Sequence, residues 1–173
     1  MLLARGRTSA LVLGGDAQTL SWSYVLTDFP QLHASQSAAA RAIKATVGAD
    51  LLGADVLKVS HHGSKHGVNL ELVERIAPKL TFVSSIAGGG SYNFPHTVAQ
   101  EVIREALEPT TSSGATHSDD VDLNIFYTSD RDTDGIELGT LAVVIGPAGD
   151  RTVWRFQDGP AEAVDFADAR LLV

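Results

Sequence analysis

The sequence predicts an α/β domain that passes into an antiparallel β meander, and three observations carry that expectation. From Ser9 to Leu107, short apolar runs alternate with stretches of helical periodicity, the pattern of a layered α/β domain. Each of those runs ends on a polar loop that contains glycine. Beyond Asp122 the apolar runs follow one another with only turn residues between them, which suits antiparallel strands.

Ser9 to Leu13 reads as a buried strand that stops on the turn Gly14-Gly15-Asp16. Residues 17 to 27 form a helix with Leu20, Trp22, Tyr24 and Val25 on one face, broken at Asp28-Phe29-Pro30. A second helix, Ser35 to Val47, is closed by Gly48. Ala54 to Ser60 is a strand that runs straight into His61-His62-Gly63-Ser64-Lys65-His66-Gly67. Asn69 caps a helix from Leu70 to Ala77, ended by Pro78, and Leu80 to Ser85 is the next strand. It enters the loop Gly88 to His96. Thr97 and Gln100 then form a capping box for a helix to Leu107, with Val98, Val102, Ile103 and Ala106 inward. Residues 108–122 are polar and aperiodic, a surface insertion. Leu123 to Thr128, Ile136 to Ile145 and Thr152 to Phe156 complete the meander.

The 173 residues are 44 % hydrophobic and 20 % charged, with a formal charge of −8 and no cysteine. Nothing approaches the roughly 18 consecutive apolar residues of a membrane span, and the start lacks the apolar core of a secretion signal. A cytoplasmic location without membrane contact is expected. The acidic balance argues against nucleic acid as a partner. Without thiolates, any metal must be held by histidine and carboxylate.

Three strand ends carry the chemistry-bearing residues: Asp16, the pair His61 and His62, and the loop with Asn93 and His96. In layered α/β folds such ends gather on one edge of the sheet, where sites are built. Adjacent histidines on a glycine turn are poor core residues but good metal ligands or phosphate donors. Gly63 lets backbone approach closely, and Ser64 and Lys65 are candidate donors to an anionic substrate. Asp130 to Gly135 imitates the start of a calcium loop, but Leu141 stands where a bidentate glutamate is required, so a turn is expected.

The runs Leu13-Gly14-Gly15-Asp16-Ala17, Ala54-Asp55-Val56-Leu57-Lys58-Val59-Ser60-His61-His62-Gly63-Ser64-Lys65 and Tyr92-Asn93-Phe94-Pro95-His96 resemble the second half of a metallo-β-lactamase-fold hydrolase, in the ComEC-like competence-protein branch. The resemblance implies half of an αββα sandwich over residues 1–107, with 108–122 inserted and 123–173 a β-rich extension of the same domain. It implies hydrolysis of a phosphoester or related ester at a site of two zinc ions. Asp16 would bridge the metals. Of the two histidines, His61 at the strand terminus is favoured as the last ligand, with His62 orienting it or touching substrate. The sequence leaves open which of the two coordinates, and both count as catalytic candidates. Ser64, Lys65, Asn93 and His96 would contact substrate, Asn93 standing where the family has a histidine. A divalent ion lowers the pKa of bound water toward about 7 and so supplies hydroxide near neutrality.

The family's first half carries a His-x-His-x-Asp-His motif that this chain lacks. His33 and His117-Ser118-Asp119-Asp120 are surface residues in the wrong order to replace it. Weak or absent zinc binding by this chain alone follows, together with a sheet face left bare for a separate N-terminal half or a homodimer to cover. A start upstream of Met1 would also account for the missing motif. The competing expectation is a non-catalytic remnant or interaction module that keeps the scaffold without metal.

Overall fold

Apolar side chains on both faces of the central strands oblige the fold to cover a sheet twice. The computed structural model describes residues 1–26, 52–85, 87–107, 124–128, 138–157 and 170–171. Five strands form one mixed sheet in the order β1 (Leu2–Arg5), β2 (Ala10–Leu13), β3 (Val56–Lys58), β4 (Leu80–Val83), β5 (Ile125–Tyr127). β1 is antiparallel to β2, and β2 through β5 are parallel. A second, antiparallel sheet joins β6 (Leu138–Ile145), β7 (Arg151–Gln157) and the two-residue β8 (Arg170–Leu171).

One row across the first sheet, Val12, Leu57, Thr81 and Ile125, faces the helices. Against it pack Trp22 from α1 (Thr19–Leu26), Leu72, Val73 and Ile76 from α2 (Leu70–Ile76), and Ala99 and Ile103 from α3 (Thr97–Leu107). α2 starts as its sequence predicts: the Asn69 side chain accepts from the Leu72 N–H at 2.8 Å. Such a cap contributes about 1 kcal/mol. α3 starts differently. The His96 carbonyl accepts from Ala99 and Gln100, so the cap position is His96, and Thr97 is the first helical residue and not the cap the capping box requires. Val98 is left 49 % exposed and Ala99 is turned inward. Leu20, expected on the buried face of α1, is 64 % exposed, and Trp22 carries the packing.

The opposite row, Leu11, Val56, Leu80 with Phe82 and Phe126, meets Leu141, Val143 and Val153 of the β6–β7 hairpin. Two arginines of β7 fasten the layers. Arg155 donates to the Tyr127 carbonyl at 3.0 Å, and Arg151 reaches Asp55 and Ser9. This corrects two expectations. The first strand of the tail, β5, lies parallel to β4 instead of opening a meander, because the helix α3 crossover returns the chain to the sheet edge in that sense. The second sheet face is also not bare, since the chain's own hairpin packs on it. β1, a strand the sequence pattern did not reveal, extends the sheet on the other edge. The helix expected over 35–47, the insertion at 108–122, the Asp130–Gly135 turn, His33 and His117 fall outside the described residues.

Asp55 joins the layers at the N-terminal edge of the parallel strands. Its carboxylate accepts from the Ala10 N–H at 2.8 Å, lies 3.0 Å from Lys79 Nζ, and pairs with Arg151. Partial burial raises the carboxyl pKa, but the Ala10 N–H and the Lys79 and Arg151 cations outweigh it and hold it below the ordinary value. A depressed folded pKa means stability that is present above the unfolded value and lost as pH falls through the folded one. Asp55→Asn should therefore destabilise the protein by about 1.5–3 kcal/mol at neutral pH, the worth of a charged hydrogen bond. In urea titrations across pH, the gap between variant and wild type should close in acid below about pH 4.

Candidate functional site

The C-terminal edge of the parallel strands gathers three loops. The first is the turn Gly14 to Ala17, closed by Ala17 N–H to the Gly14 carbonyl at 3.1 Å, with Gly15 at φ +56° and Asp16 exposed at its tip. The second is a 3-10 turn, Ser60–Gly63, in which His61, His62 and Gly63 are all left-handed, at φ +46°, +57° and +74°. The third passes through the 3-10 turn Ala87–Tyr92 to Asn93, Phe94 and His96.

Backbone bonds lock the loops together. Gly14 N–H reaches the Lys58 carbonyl at 3.0 Å, His61 N–H the Gly15 carbonyl at 2.8 Å, and His96 N–H the Gly63 carbonyl at 3.0 Å. Glycine is required at two of these approaches. A Cβ on Gly14 would stand 2.1 Å from Ser60 Oγ, and one on Gly63 would stand 2.7 Å from Pro95 Cβ. Left-handed backbone costs non-glycine residues about 1–2 kcal/mol each, so two adjacent histidines held there are a strained feature that the surrounding contacts enforce.

The ring contacts assign lone pairs. His62 Nδ1 lies 3.0 Å from the Ser84 carbonyl and 2.8 Å from Ser84 Oγ. A carbonyl only accepts, so Nδ1 carries the hydrogen and Nε2 keeps its lone pair, the arrangement of a metal-ligating histidine. His61 Nδ1 lies 3.0 Å from the Gln18 amide nitrogen, which donates to it and leaves the hydrogen of the neutral ring on Nε2. His96 Nδ1 accepts from the Lys65 N–H at 2.9 Å, so its Nε2–H is a donor. Phe94 touches all three rings, with centroids 5.3 Å from His61, 6.2 Å from His62 and 5.0 Å from His96, and stacks on exposed Tyr92.

The remaining candidates are placed as follows. Ser64 is buried, and its hydroxyl accepts from the His66 N–H at 3.3 Å, bracing the loop from within. Lys65 is exposed, and Asn93, left-handed at φ +57°, sits exposed before Phe94. Lys58 shares a sheet face with Phe82. Burial holds its ammonium below the ordinary lysine pKa, opposed by the Asp16 carboxylate nearby. Gln18, Ser84, Phe94 and Lys58 escaped sequence reasoning as site residues. The first three act on histidines distant in sequence, and Lys58 looks like any strand residue.

A zinc site takes about four donors. Among the described residues no three histidine, aspartate, glutamate or cysteine side chains converge, so these residues alone do not make one. No protein-family model, curated protein or solved structure matches this chain.

The glycine contacts are open to direct measurement. Gly63→Ala combines a left-handed backbone with a clash on Pro95 and should cost about 2–3 kcal/mol. Gly14→Ala, which strikes Ser60, should cost about 1–3 kcal/mol. Both should show as lowered midpoints in thermal unfolding.

Proposed function

We propose that this chain carries one half of a metal-dependent hydrolase site for a phosphoester or related ester, and that further donors must come from a second segment, a separate N-terminal half or a second copy. The observation that carries the proposal is His62, forced into left-handed backbone at a strand end with its Nδ1–H spent on Ser84 and its Nε2 lone pair left over. The His61 N–H to Gly15 carbonyl bond joins the histidine turn to the turn that bears Asp16. In this reading Asp16 and His62 are the ligands the chain contributes, and His61 orients the loop through Gln18. His96 offers its Nε2–H to a substrate oxyanion, with Lys65 at the same rim. Zinc, when bound by the completed site, would supply the hydroxide nucleophile.

The alternative, a scaffold kept without metal, is favoured by the absence of three converging donors among the described residues and by Lys58, whose positive charge lies near Asp16. Zinc titration followed by native mass spectrometry separates the two. The chain alone should bind zinc weakly or not at all, and the chain combined with a segment carrying His-x-His-x-Asp-His should bind it and cleave a phosphodiester. In that assembly His62→Ala and Asp16→Ala should each lower zinc affinity at least about tenfold, and His61→Ala less. Zinc binding by neither preparation would sink the hydrolase reading.

A further inference from the structure

Three imidazoles surround Phe94, and they differ in where their lone pairs are left. His61 Nδ1 accepts from the Gln18 amide and His96 Nδ1 from the Lys65 N–H, so each neutral ring presents an N–H at Nε2. His62 is the reverse case. Its Nδ1–H is held by the Ser84 carbonyl at 3.0 Å, and its Nε2 carries the lone pair. His62 is also exposed, whereas His61 is half-buried.

A free imidazole exchanges its proton between two nitrogens and is a nucleophile at either. A carbonyl on Nδ1–H fixes one tautomer and favours the positive charge that the ring acquires when Nε2 bonds to an electrophile. The left-handed backbone of His62, at φ +57° with Gly63 packed under Pro95, fixes the main chain beneath the ring. Exposed Lys65, in the same loop, adds a cation for an incoming dianion.

We propose that His62 is a phosphorylation site, its Nε2 accepting the phosphoryl group of a small acyl phosphate. The Nε2 lone pair forms the N–P bond, and the bond from phosphorus to the acyl oxygen breaks, its electron pair leaving on the carboxylate. No proton moves in this step, because Nδ1–H stays on the Ser84 carbonyl. An acyl phosphate suits the site for that reason, since its carboxylate departs without a general acid. Water then cleaves the N–P bond and returns the neutral ring and inorganic phosphate. The step uses the ring that the hydrolase reading gives to zinc, but it draws on this chain alone and needs neither a metal nor a second segment.

Incubation of the full chain with acetyl phosphate in the presence of a chelator tests it. Intact and peptide mass spectrometry should find one phosphoryl group, on His62, stable in alkali and lost in acid as a P–N bond is. In urea the selectivity should disappear, because the Ser84 bond is then broken. His62→Asn, a residue that tolerates left-handed backbone, should lose the label, and His61→Asn should keep it. A native chain that takes up no label, or is labelled equally at His61, His62 and His66, would overturn the proposal. So would label retained by His62→Asn or lost from His61→Asn. Zinc binding by the completed assembly is a separate measurement, so either reading can fail while the other stands.

Discussion

Asp55 is the residue on which the arrangement of strands and layers depends. Its backbone N–H donates to the Ala10 carbonyl, and its own carbonyl accepts from both Lys79 and Leu80. Its carboxylate meanwhile takes the Ala10 N–H, Lys79 and Arg151. One residue thus ties β2 to β3, β3 to β4, and the first sheet to the hairpin lying across it. A short parallel strand of three residues such as β3 has few ladder bonds of its own, so register at its start must be supplied by contacts of this kind. Once the N-terminal edge is set, the strands deliver their far ends, with the histidines, at fixed positions.

The two edges of the sheet are held by different physics. Ionic pairs and charged hydrogen bonds organise the Asp55 edge. At the histidine edge, close steric contact dominates: Gly14 over Ser60, Gly63 under Pro95, Gly67 against the Ser60 carbonyl. Such contacts leave little freedom to the left-handed turn between them, and that rigidity is what a site of oriented imidazoles requires. Phe94 adds to it by touching three rings at once, so that His61, His62 and His96 share one neighbour although they come from two loops.

Much of the first layer was legible in the residues. Asn69 announced α2, Pro78 its end, and the glycine-rich loops after Leu13, Ser60 and Ser85 marked the edge where the candidate site lies. The tail was harder to read. Ile125 to Tyr127 is buried on both faces and has no periodicity that separates a parallel strand from an antiparallel one; only its neighbours decide. The bond that sets the His62 ring apart from that of His61 runs to a carbonyl at Ser84, and the covered second face rests on contacts between β7 and strands about a hundred residues earlier. Long-range pairings of that sort leave no local trace.

The two tryptophans of the chain fall one in each layer. Trp22 is almost completely buried under the helices, and its indole N–H donates at 2.8 Å to the carbonyl of Gly67, the last residue of the histidine loop. Trp154 lies half-buried on the hairpin, bonded to Thr152 of its own strand. The protein therefore carries two intrinsic fluorophores with unlike surroundings, a blue-shifted one reporting the histidine loop and a redder one reporting the second sheet. A single emission spectrum can follow loosening of the histidine turn separately from detachment of the hairpin.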